Sequence, residues 1–289
     1  MTVQMHPAQE RALDHVRDKS TGSPVKENYD ITVNFHPDRK SRDGLPILSA
    51  IFKDQVLKSQ FSTGTSSGGL TAYPGGDRWI WESRAFGGAY DHSDPGERPI
   101  YGALNYQKLG GGGSPRFGSA YFRLKSHVLN RTTFCYPDSF FTPKDFATYP
   151  HISKLINLAE TGTLDLLDNY IEAHIHGPVH VKNDVESVVL DPVFKNTDIE
   201  RLATKLPCDI EWHQGFQLHV KVVAQHPEYR GLQFVELAKK LAEACILNPL
   251  ILGNAVQNLG YDPQDIKKIW HYLARFGDQN HPQKVEIAM

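Results

Sequence analysis

Two short stretches near the N-terminus place a cation and a set of hydroxyls at the ends of neighbouring predicted strands. His36 and Arg39 follow the first strand, and the proline between them cannot continue a hydrogen-bonded ladder. Ser62 and Thr63 begin a run of hydroxyls and glycines, 62–69, after a second short strand. A guanidinium pairs two phosphate oxygens at once, and glycines let the backbone approach a ligand closely. This arrangement suits a pyrophosphate and a ribose, although the same residue types also make ordinary turns.

A third set of residues that could take part in chemistry lies later in the chain. Glu172, His174 and His176 alternate with apolar residues, so in an extended strand their side chains share one face. Gly177 and Pro178 then end the strand abruptly. The alternative is a plain polar strand face. Glu172 is nevertheless the sharpest acidic candidate in the sequence, because a carboxylate in a cleft can stabilise positive charge on a ligand.

The same alternation leaves a metal-binding interpretation open. Two histidines at positions i and i+2 of a strand face together and suit zinc. A third ligand is not obvious, since the sequence has no His-Glu-x-x-His motif and no close pair of cysteines. We therefore expect hydrogen-bonded histidines and no bound metal.

The elements that must position these residues change character along the chain. The sequence predicts strands at 31–35, 100–106, 117–124, 132–136, 169–181 and 185–190, and helices at 7–19, 45–52, 79–84, 197–205, 232–246 and 263–276. We expect three parts: an N-terminal helix and linker at 1–28, a β-rich core at 29–195 and an α-rich region at 196–289. The remainder of 70–99 is expected to be a long Gly- and Trp-containing loop, which is typical of a functional or mobile segment.

Composition excludes several broad classes of protein. The 31 basic and 33 acidic residues nearly cancel, which argues against a general nucleic-acid or membrane surface. No run of 18 apolar residues appears, so no transmembrane span is expected. Cys135, Cys208 and Cys245 are odd in number and far apart, which is typical of reduced thiols. The charged N-terminus does not have the pattern of an ordinary signal peptide.

Several strings of residues carry a resemblance to a known family. A basic residue on an early strand, a Ser/Thr-rich second strand and a glutamate on a later strand resemble the R-S-E pattern of ADP-ribosyltransferases. The fuller strings are Val-Asn-Phe-His-Pro-Asp-Arg at 33–39, Ser-Gln-Phe-Ser-Thr-Gly-Thr-Ser-Ser-Gly-Gly at 59–69, Phe-Gly-Gly-Ala-Tyr at 86–90, Tyr-Gly-Ala-Leu-Asn at 101–105 and Ile-Glu-Ala-His-Ile-His-Gly-Pro at 171–178. Over residues 25–275 they are similar to a bacterial family of unknown function, one member of which is a translocated effector that ADP-ribosylates host glutamate dehydrogenase.

The resemblance implies an α+β fold, specifically an ADP-ribosyltransferase-like split β-sandwich with flanking helices and an α-rich C-terminal part. Such a fold binds NAD in a cleft between two sheets. Arg39 would hold the NAD phosphates or ribose, and Ser62 with Thr63 would shape the nicotinamide pocket. Glu172 would be the catalytic glutamate, with His174 beside it in the NAD site.

Two departures from the family pattern leave alternatives open. The segment around His36 also resembles the first motif of the H-Y-E branch, so either His36 or Arg39 is the first-strand contact with NAD. Arginine-specific members carry Glu-x-Glu, whereas this chain has Glu172 followed two residues later by His174. That difference leaves open which end of the motif is catalytic and whether arginine is the acceptor.

The implied activity is mono-ADP-ribosyl transfer from NAD, consumed as a substrate, to a protein side chain, with arginine favoured. The alternatives are an NAD glycohydrolase and a non-catalytic NAD-fold interaction module. The expected partner is the acceptor protein, host glutamate dehydrogenase, with the loop at 70–99 and the α-rich tail as docking surfaces. We expect a cytoplasmic site of action, reached through a dedicated secretion system, and no nucleic-acid or membrane partner.

Overall fold

The computed structural model describes residues 4–64 and 71–278. It confirms the predicted α+β class: a large, mostly antiparallel sheet is flanked by helices. Within these residues, no helix combines the length and the apolar character needed to cross a membrane.

The strands are β1 (Asp30–Phe35), β2 (Val56–Leu57), β3 (Ile100–Asn105), β4 (Ala120–Leu124), β5 (Thr132–Tyr136), β6 (Asp145–Thr148), β7 (Ile171–Ile175), β8 (Val179–His180), β9 (Val185–Leu190), β10 (Asp209–Trp212), β11 (Leu218–His219) and β12 (Ile246–Leu247). The helices are α1 (Pro7–Arg17), α2 (Ile47–Asp54), α3 (Gln60–Thr63), α4 (Asp77–Ala85), α5 (Ser153–Thr161), α6 (Val181–Asp184), α7 (Asp198–Ala203), α8 (Val220–Gln225), α9 (Pro227–Arg230), α10 (Leu232–Leu241), α11 (Pro249–Gln257) and α12 (Pro263–Phe276).

The eight-stranded sheet has the order β10-β9-β4-β1-β3-β7-β5-β6, in which the β10–β9 pair is parallel and the other pairs are antiparallel. Strands β1 and β3 pair over three positions, from Asp30↔Asn105 to Thr32↔Ala103. Beyond Thr32, β1 continues along β4, whereas the first part of β3 continues along β7. The two halves of the sheet therefore part between β1 and β3, and a groove opens there.

Gly102 lies where the two strands part. A Cβ atom added to Gly102 would lie 2.6 Å from the backbone carbonyl oxygen of Thr32, well inside van der Waals contact. The close approach of β1 and β3 at the floor of the groove therefore depends on the absence of a side chain at this position.

Strand β7 buries both of its faces. Ile171, Ala173 and Ile175 belong to the main hydrophobic core. The opposite face carries Glu172 and His174, and aromatic residues of α4 and the segment after it cover that face. The alternation predicted from the sequence is confirmed, but the polar face lies inside the protein because a distant segment packs over it.

A second hydrophobic core lies among the helices from α8 to α12, with Trp270 and Leu273 of α12 buried at its centre. The boundary proposed at residue 195 does not coincide with the change of core. Strand β10 pairs with β9 beyond that position, and the buried residues of the second core are Leu167 and residues from Phe216 onwards. The boundary between the β-rich core and the α-rich region therefore lies after β10, because this strand is part of the main sheet.

The main sheet is one hydrogen-bonded series of eight strands, and its separation into two halves is local to β1 and β3. Within 71–99 the helix predicted at 79–84 is confirmed as α4, and the segment after it buries Phe86 and Tyr90 against His174 and His176. The buried part of this stretch therefore belongs to the inside of the protein.

Candidate functional site

The groove between β1 and β3 has a volume of about 1110 Å³. Its walls come from the end of β1 and the turn after it, from α2 and α3, from the start of β3, and from α11 and α12 of the second core. Ligand sites in proteins usually enclose roughly 300–1,000 Å³, so this groove has room for an extended ligand.

Positive charge dominates the lining of the groove. The charged lining residues are Arg39, Lys40, Arg42, Lys53, Lys58, Arg78, Arg116 and Lys267, against Asp43, Asp54 and Glu172. The whole chain carries a formal charge of −2, so this local excess of cations is a property of the groove. A cleft lined by one sign of charge concentrates ligands of the opposite sign, and this one favours an anion.

Glu172 is the acidic residue of this lining that lies on strand β7 of the main sheet. Its side chain is 6% exposed, and both carboxylate oxygens are hydrogen-bonded. Oε2 accepts from Ser139 Oγ at 2.9 Å, and Oε1 lies 3.1 Å from His174 Nε2. Burial opposes ionisation, but the hydrogen bond from His174 and the charge of Arg78 hold the pKa of Glu172 below its ordinary value. The groove therefore presents an ionised carboxylate.

Arg78 and Ser139 complete the surroundings of this carboxylate, and sequence reasoning missed both. Arg78 lies on the first turn of α4, where its Nη1 donates to Ser139 Oγ at 2.8 Å and lies 3.9 Å from Glu172 Oε1. Its guanidinium also stacks on the ring of Tyr101, 4.4 Å from the centroid. Ser139 begins a short 3₁₀ turn that Asp138 caps by accepting from the Phe140 backbone N–H. The Asp-Ser pair was a turn signal in the sequence, but no local pattern indicated what the turn would touch.

The turn after β1 brings His36 and Arg39 to the lining of the groove, as the sequence predicted. The ring of His36 packs edge-on against Trp270 of α12, with centroids 5.1 Å apart. Burial, followed by the charges of Arg39 and Lys267, lowers the pKa of His36 to about 3. His36 is therefore neutral near pH 7, and Arg39 supplies the positive charge of this turn.

Ser62 and Thr63 also line the groove, but on a helical turn and not on a strand. Strand β2 ends at Leu57, and Ser59 then caps α3 by accepting from the Ser62 backbone N–H at 3.2 Å. This Ser-initiated cap ends the strand before the hydroxyl run begins. The remainder of that run, 65–69, lies outside the described residues.

His174 does not line the groove. It is fully buried behind Glu172 and packs against Trp81, Phe86 and Tyr101 at ring distances of 5.1–5.4 Å. Of the six residues predicted for the site, five meet in the groove and His174 lies in the layer beneath it.

The two histidines for which a metal-binding interpretation was left open both contact a hydroxyl in the structure. His174 and His176 each direct a ring nitrogen to Thr133 Oγ1, at 3.1 and 3.0 Å. The group with metal-ligand spacing among the described residues is instead Cys135, Glu172 and His174, whose ligand atoms all lie within 4.8 Å. Burial, followed by the charges of Glu172 and Asp138, raises the pKa of the Cys135 thiol well above its ordinary value. That shift favours the neutral thiol, which is a weaker metal ligand than a thiolate.

The arrangement combines two electrostatic features in one cavity. A cationic rim suits the anionic part of a ligand, and one ionised, fixed carboxylate faces the cavity from the sheet. Such a carboxylate stabilises positive charge that develops on the ligand during a reaction.

Comparison with known proteins assigns no activity to this geometry. A family described as "Protein of unknown function (DUF3626)" matches residues 30–160 and 148–276, which include all six predicted site residues. No curated protein matches the chain.

Proposed function

The chain belongs to this family of unknown function, DUF3626, whose description names no activity, and we propose that the protein is a mono-ADP-ribosyltransferase. It would transfer ADP-ribose from NAD to a protein side chain, with arginine as the favoured acceptor. The observation that carries the proposal is the ionised carboxylate of Glu172 in the wall of a groove whose other charged residues are mainly cations.

The charge distribution supports NAD as the ligand. The pyrophosphate of NAD is anionic, and Arg39 offers a planar pair of N–H donors that matches phosphate oxygens. Because His36 is neutral near pH 7, we assign the phosphate contact to Arg39 and a hydrogen bond to ribose or phosphate to His36. Ser62 and Thr63 lie in the same lining and would contribute hydroxyls to the nicotinamide end.

The chemistry fits a carboxylate at this place. When the bond between the ribose C1′ and the nicotinamide nitrogen breaks, its electron pair leaves with nicotinamide. The ribose then gains oxocarbenium-like positive charge, which Glu172 would stabilise as carboxylates do in glycoside chemistry. An acceptor nitrogen would attack C1′ and lose one proton.

The local separation of the sheet into two halves supports the same proposal. A split β-sandwich of the ADP-ribosyltransferase kind would hold NAD where the halves of the sheet separate. In this chain β1 and β3 part beyond Thr32, and the groove follows that parting. We propose that this parting is the NAD cleft.

The identity of the acceptor protein is proposed from the sequence motifs alone. The resemblance of the motifs at 33–39 and 171–178 to those of an effector family makes host glutamate dehydrogenase the first protein to test. A cytoplasmic site of action in a host cell, reached through a secretion system, belongs to the same proposal.

The test measures nicotinamide release from NAD in three parallel reactions: protein alone, protein with agmatine as a small guanidine acceptor, and protein with purified glutamate dehydrogenase. Labelled NAD and mass spectrometry then locate any ADP-ribose on the acceptor. The proposal predicts release that rises with an acceptor and a label on an arginine side chain. Equal release without an acceptor would identify a glycohydrolase, and NAD binding without release would identify a non-catalytic module.

A further inference from the structure

A continuous chain of hydrogen bonds runs beneath the groove, away from Glu172. Its first link joins Glu172 Oε1 and His174 Nε2 at 3.1 Å, and its second joins His174 Nδ1 and Thr133 Oγ1 at 3.1 Å. The third joins Thr133 Oγ1 and His176 Nε2 at 3.0 Å, and the fourth joins His176 Nδ1 and the Tyr90 hydroxyl at 2.6 Å. Four of the five residues are fully buried and Glu172 is 5% exposed.

The direction of every donor in this chain follows from the ionised carboxylate at one end and the neutral charge of the two histidines. The ionised Glu172 only accepts, so His174 Nε2 must carry the proton. Burial, as the largest cause, lowers the pKa of both histidines, so each is neutral near pH 7 and has one N–H. His174 Nδ1 therefore accepts from the Thr133 hydroxyl, and Thr133 Oγ1 accepts from His176 Nε2. His176 Nδ1 is then left to accept from the Tyr90 hydroxyl.

All four bonds thus point the same way, towards the carboxylate. The chain fixes the tautomer of both histidines, because reversing any one link would set two donors or two lone pairs against each other. Hydrogen bonds in a buried series also polarise one another, so each strengthens the next. The ionised Glu172 sets this direction, and Tyr90, at the far end, supplies the hydroxyl proton that His176 Nδ1 accepts.

Other titratable and charged groups face the chain from the elements packed around it. They are Arg78 and Glu82 of α4, Tyr101 of β3, Cys135 of β5, Asp138 and Tyr170 beside the carboxylate, Arg131 beside His176, and Glu97 and Arg98 near Tyr90. Arg78 acts directly on Glu172, whereas the Tyr90 hydroxyl reaches it only through the chain.

We propose that Tyr90 and His176 are positioning residues for Glu172, acting through the one-way hydrogen-bond chain although neither lines the groove. This inference rests on the proposed function of Glu172. Without the Tyr90 hydroxyl, His176 Nδ1 has no donor and can itself carry the proton. Thr133 can then turn its hydroxyl towards His176, and the proton of His174 can move to Nδ1. The lone pair of His174 Nε2 would then face the carboxylate and favour its protonated form.

The test compares Tyr90→Phe with wild type by two measurements. The first is the ¹⁵N NMR signature of the histidine side chains, which reports tautomers without any need for activity. The second is the pH profile of nicotinamide release. We expect the Nε2–H tautomer for His174 and His176 in wild type and mixed tautomers in the variant. We also expect the acid limb of the profile to move up by about one pH unit, the order of one net hydrogen bond, with activity at pH 8 within about twofold of wild type.

Tyr136→Phe is the matched control, because its hydroxyl donates to Asn169 Oδ1 at 2.8 Å and takes no part in the chain. A profile of Tyr90→Phe that matches wild type, or that falls equally at all pH values, would overturn the inference. So would Nδ1–H tautomers in the wild-type protein. If Tyr90→Phe does not fold, Thr133→Val removes the central hydroxyl, and we expect mixed tautomers of His174 and the same shift of the acid limb.

The two proposals fail in different ways. A wild-type protein that does not act on NAD, but has both histidines as Nε2–H tautomers that mix in Tyr90→Phe, contradicts the proposed function and leaves the chain as a structural fact. A protein that acts on NAD, with tautomers that Tyr90→Phe does not change, contradicts the positioning role alone.

Discussion

Glu172 Oε1 and His174 Nε2 lie 3.1 Å apart, with the imidazole behind the carboxylate and not beside it in the groove. The two residues occupy alternate positions of β7, so the strand itself sets their spacing. Because His174 is fully buried, its N–H is directed at Glu172 without competition from bulk solvent. The sequence Glu172-Ala173-His174 therefore presents one carboxylate to the groove and keeps the histidine as its support.

Arg39→Ala is predicted to weaken NAD binding by about ten- to a hundredfold. This range corresponds to the loss of one charge-assisted hydrogen-bonding contact of roughly 1.5–3 kcal/mol. Isothermal titration with NAD measures it, and Arg201→Ala is the matched control because Arg201 is exposed on α7, paired with Asp198 and away from the groove. An unchanged affinity in Arg39→Ala would remove Arg39 from the NAD site.

Gly253→Ala is predicted to weaken NAD binding without contacting the ligand. A Cβ atom at this position of α11 would lie 1.9 Å from Asp38 Oδ2, so the side chain of Asp38, on the turn that carries Arg39, must move. Combining Gly253→Ala with Asp38→Ala removes the clash, and we expect a favourable coupling of about 1 kcal/mol in NAD affinity. Gly96→Ala is the control, since a Cβ there meets open space. Additive effects of the two changes would show that α11 does not support the turn.

Acidification is predicted to destabilise the protein through buried neutral histidines. Burial, followed by the charge of Arg230, lowers the pKa of His271 to about 2 in the folded protein, against 6.5 as its ordinary value. Below pH 6.5 the unfolded chain therefore binds a proton at His271 that the folded protein does not bind. The contribution of His271 to the free energy of unfolding is present above that pH and is lost as the pH falls. Between pH 7 and pH 5 this one residue accounts for about 2 kcal/mol of unfolding free energy.

Urea unfolding of wild type and His271→Gln at both pH values checks this prediction. The variant should lose less free energy of unfolding on acidification than wild type, by about 2 kcal/mol. His92→Gln changes an exposed histidine and should keep the wild-type pH dependence. Equal acid sensitivity of wild type and His271→Gln would mean that His271 takes up its proton in the folded state.

Local patterns were enough to predict the elements whose signals are short-range. Strand β5 and helix α12 have the predicted limits, because β-branched and aromatic residues mark one and Asp262 with Pro263 opens the other. Helix α11 was missed although Asn248 and Pro249 gave a similar start signal. Strand β10 was missed for another reason: it is a four-residue strand that gains its hydrogen bonds from β9.

The candidate site was predictable as a set of residue types but not as a layered structure. Alternation alone placed Glu172 and His174 on one strand face, and it could not show that Phe86 and Tyr90 cover that face. The contribution of α11 and α12 to the groove was equally hidden, because those contacts join residues more than 200 positions apart. Arg78 meets Glu172 through the same kind of long-range packing.

In the proposed reaction, the charge of Glu172 drives cleavage of the bond between nicotinamide and ribose. The most direct test is the rate of nicotinamide release at saturating NAD for Glu172→Gln, with Glu236→Gln, an exposed residue of α10, as the matched control. The amide keeps the size of the side chain and removes its charge, so we predict a loss of about 10²–10³-fold with the fold and NAD affinity retained, and no loss in the control. Release by Glu172→Gln at the wild-type rate would contradict the account.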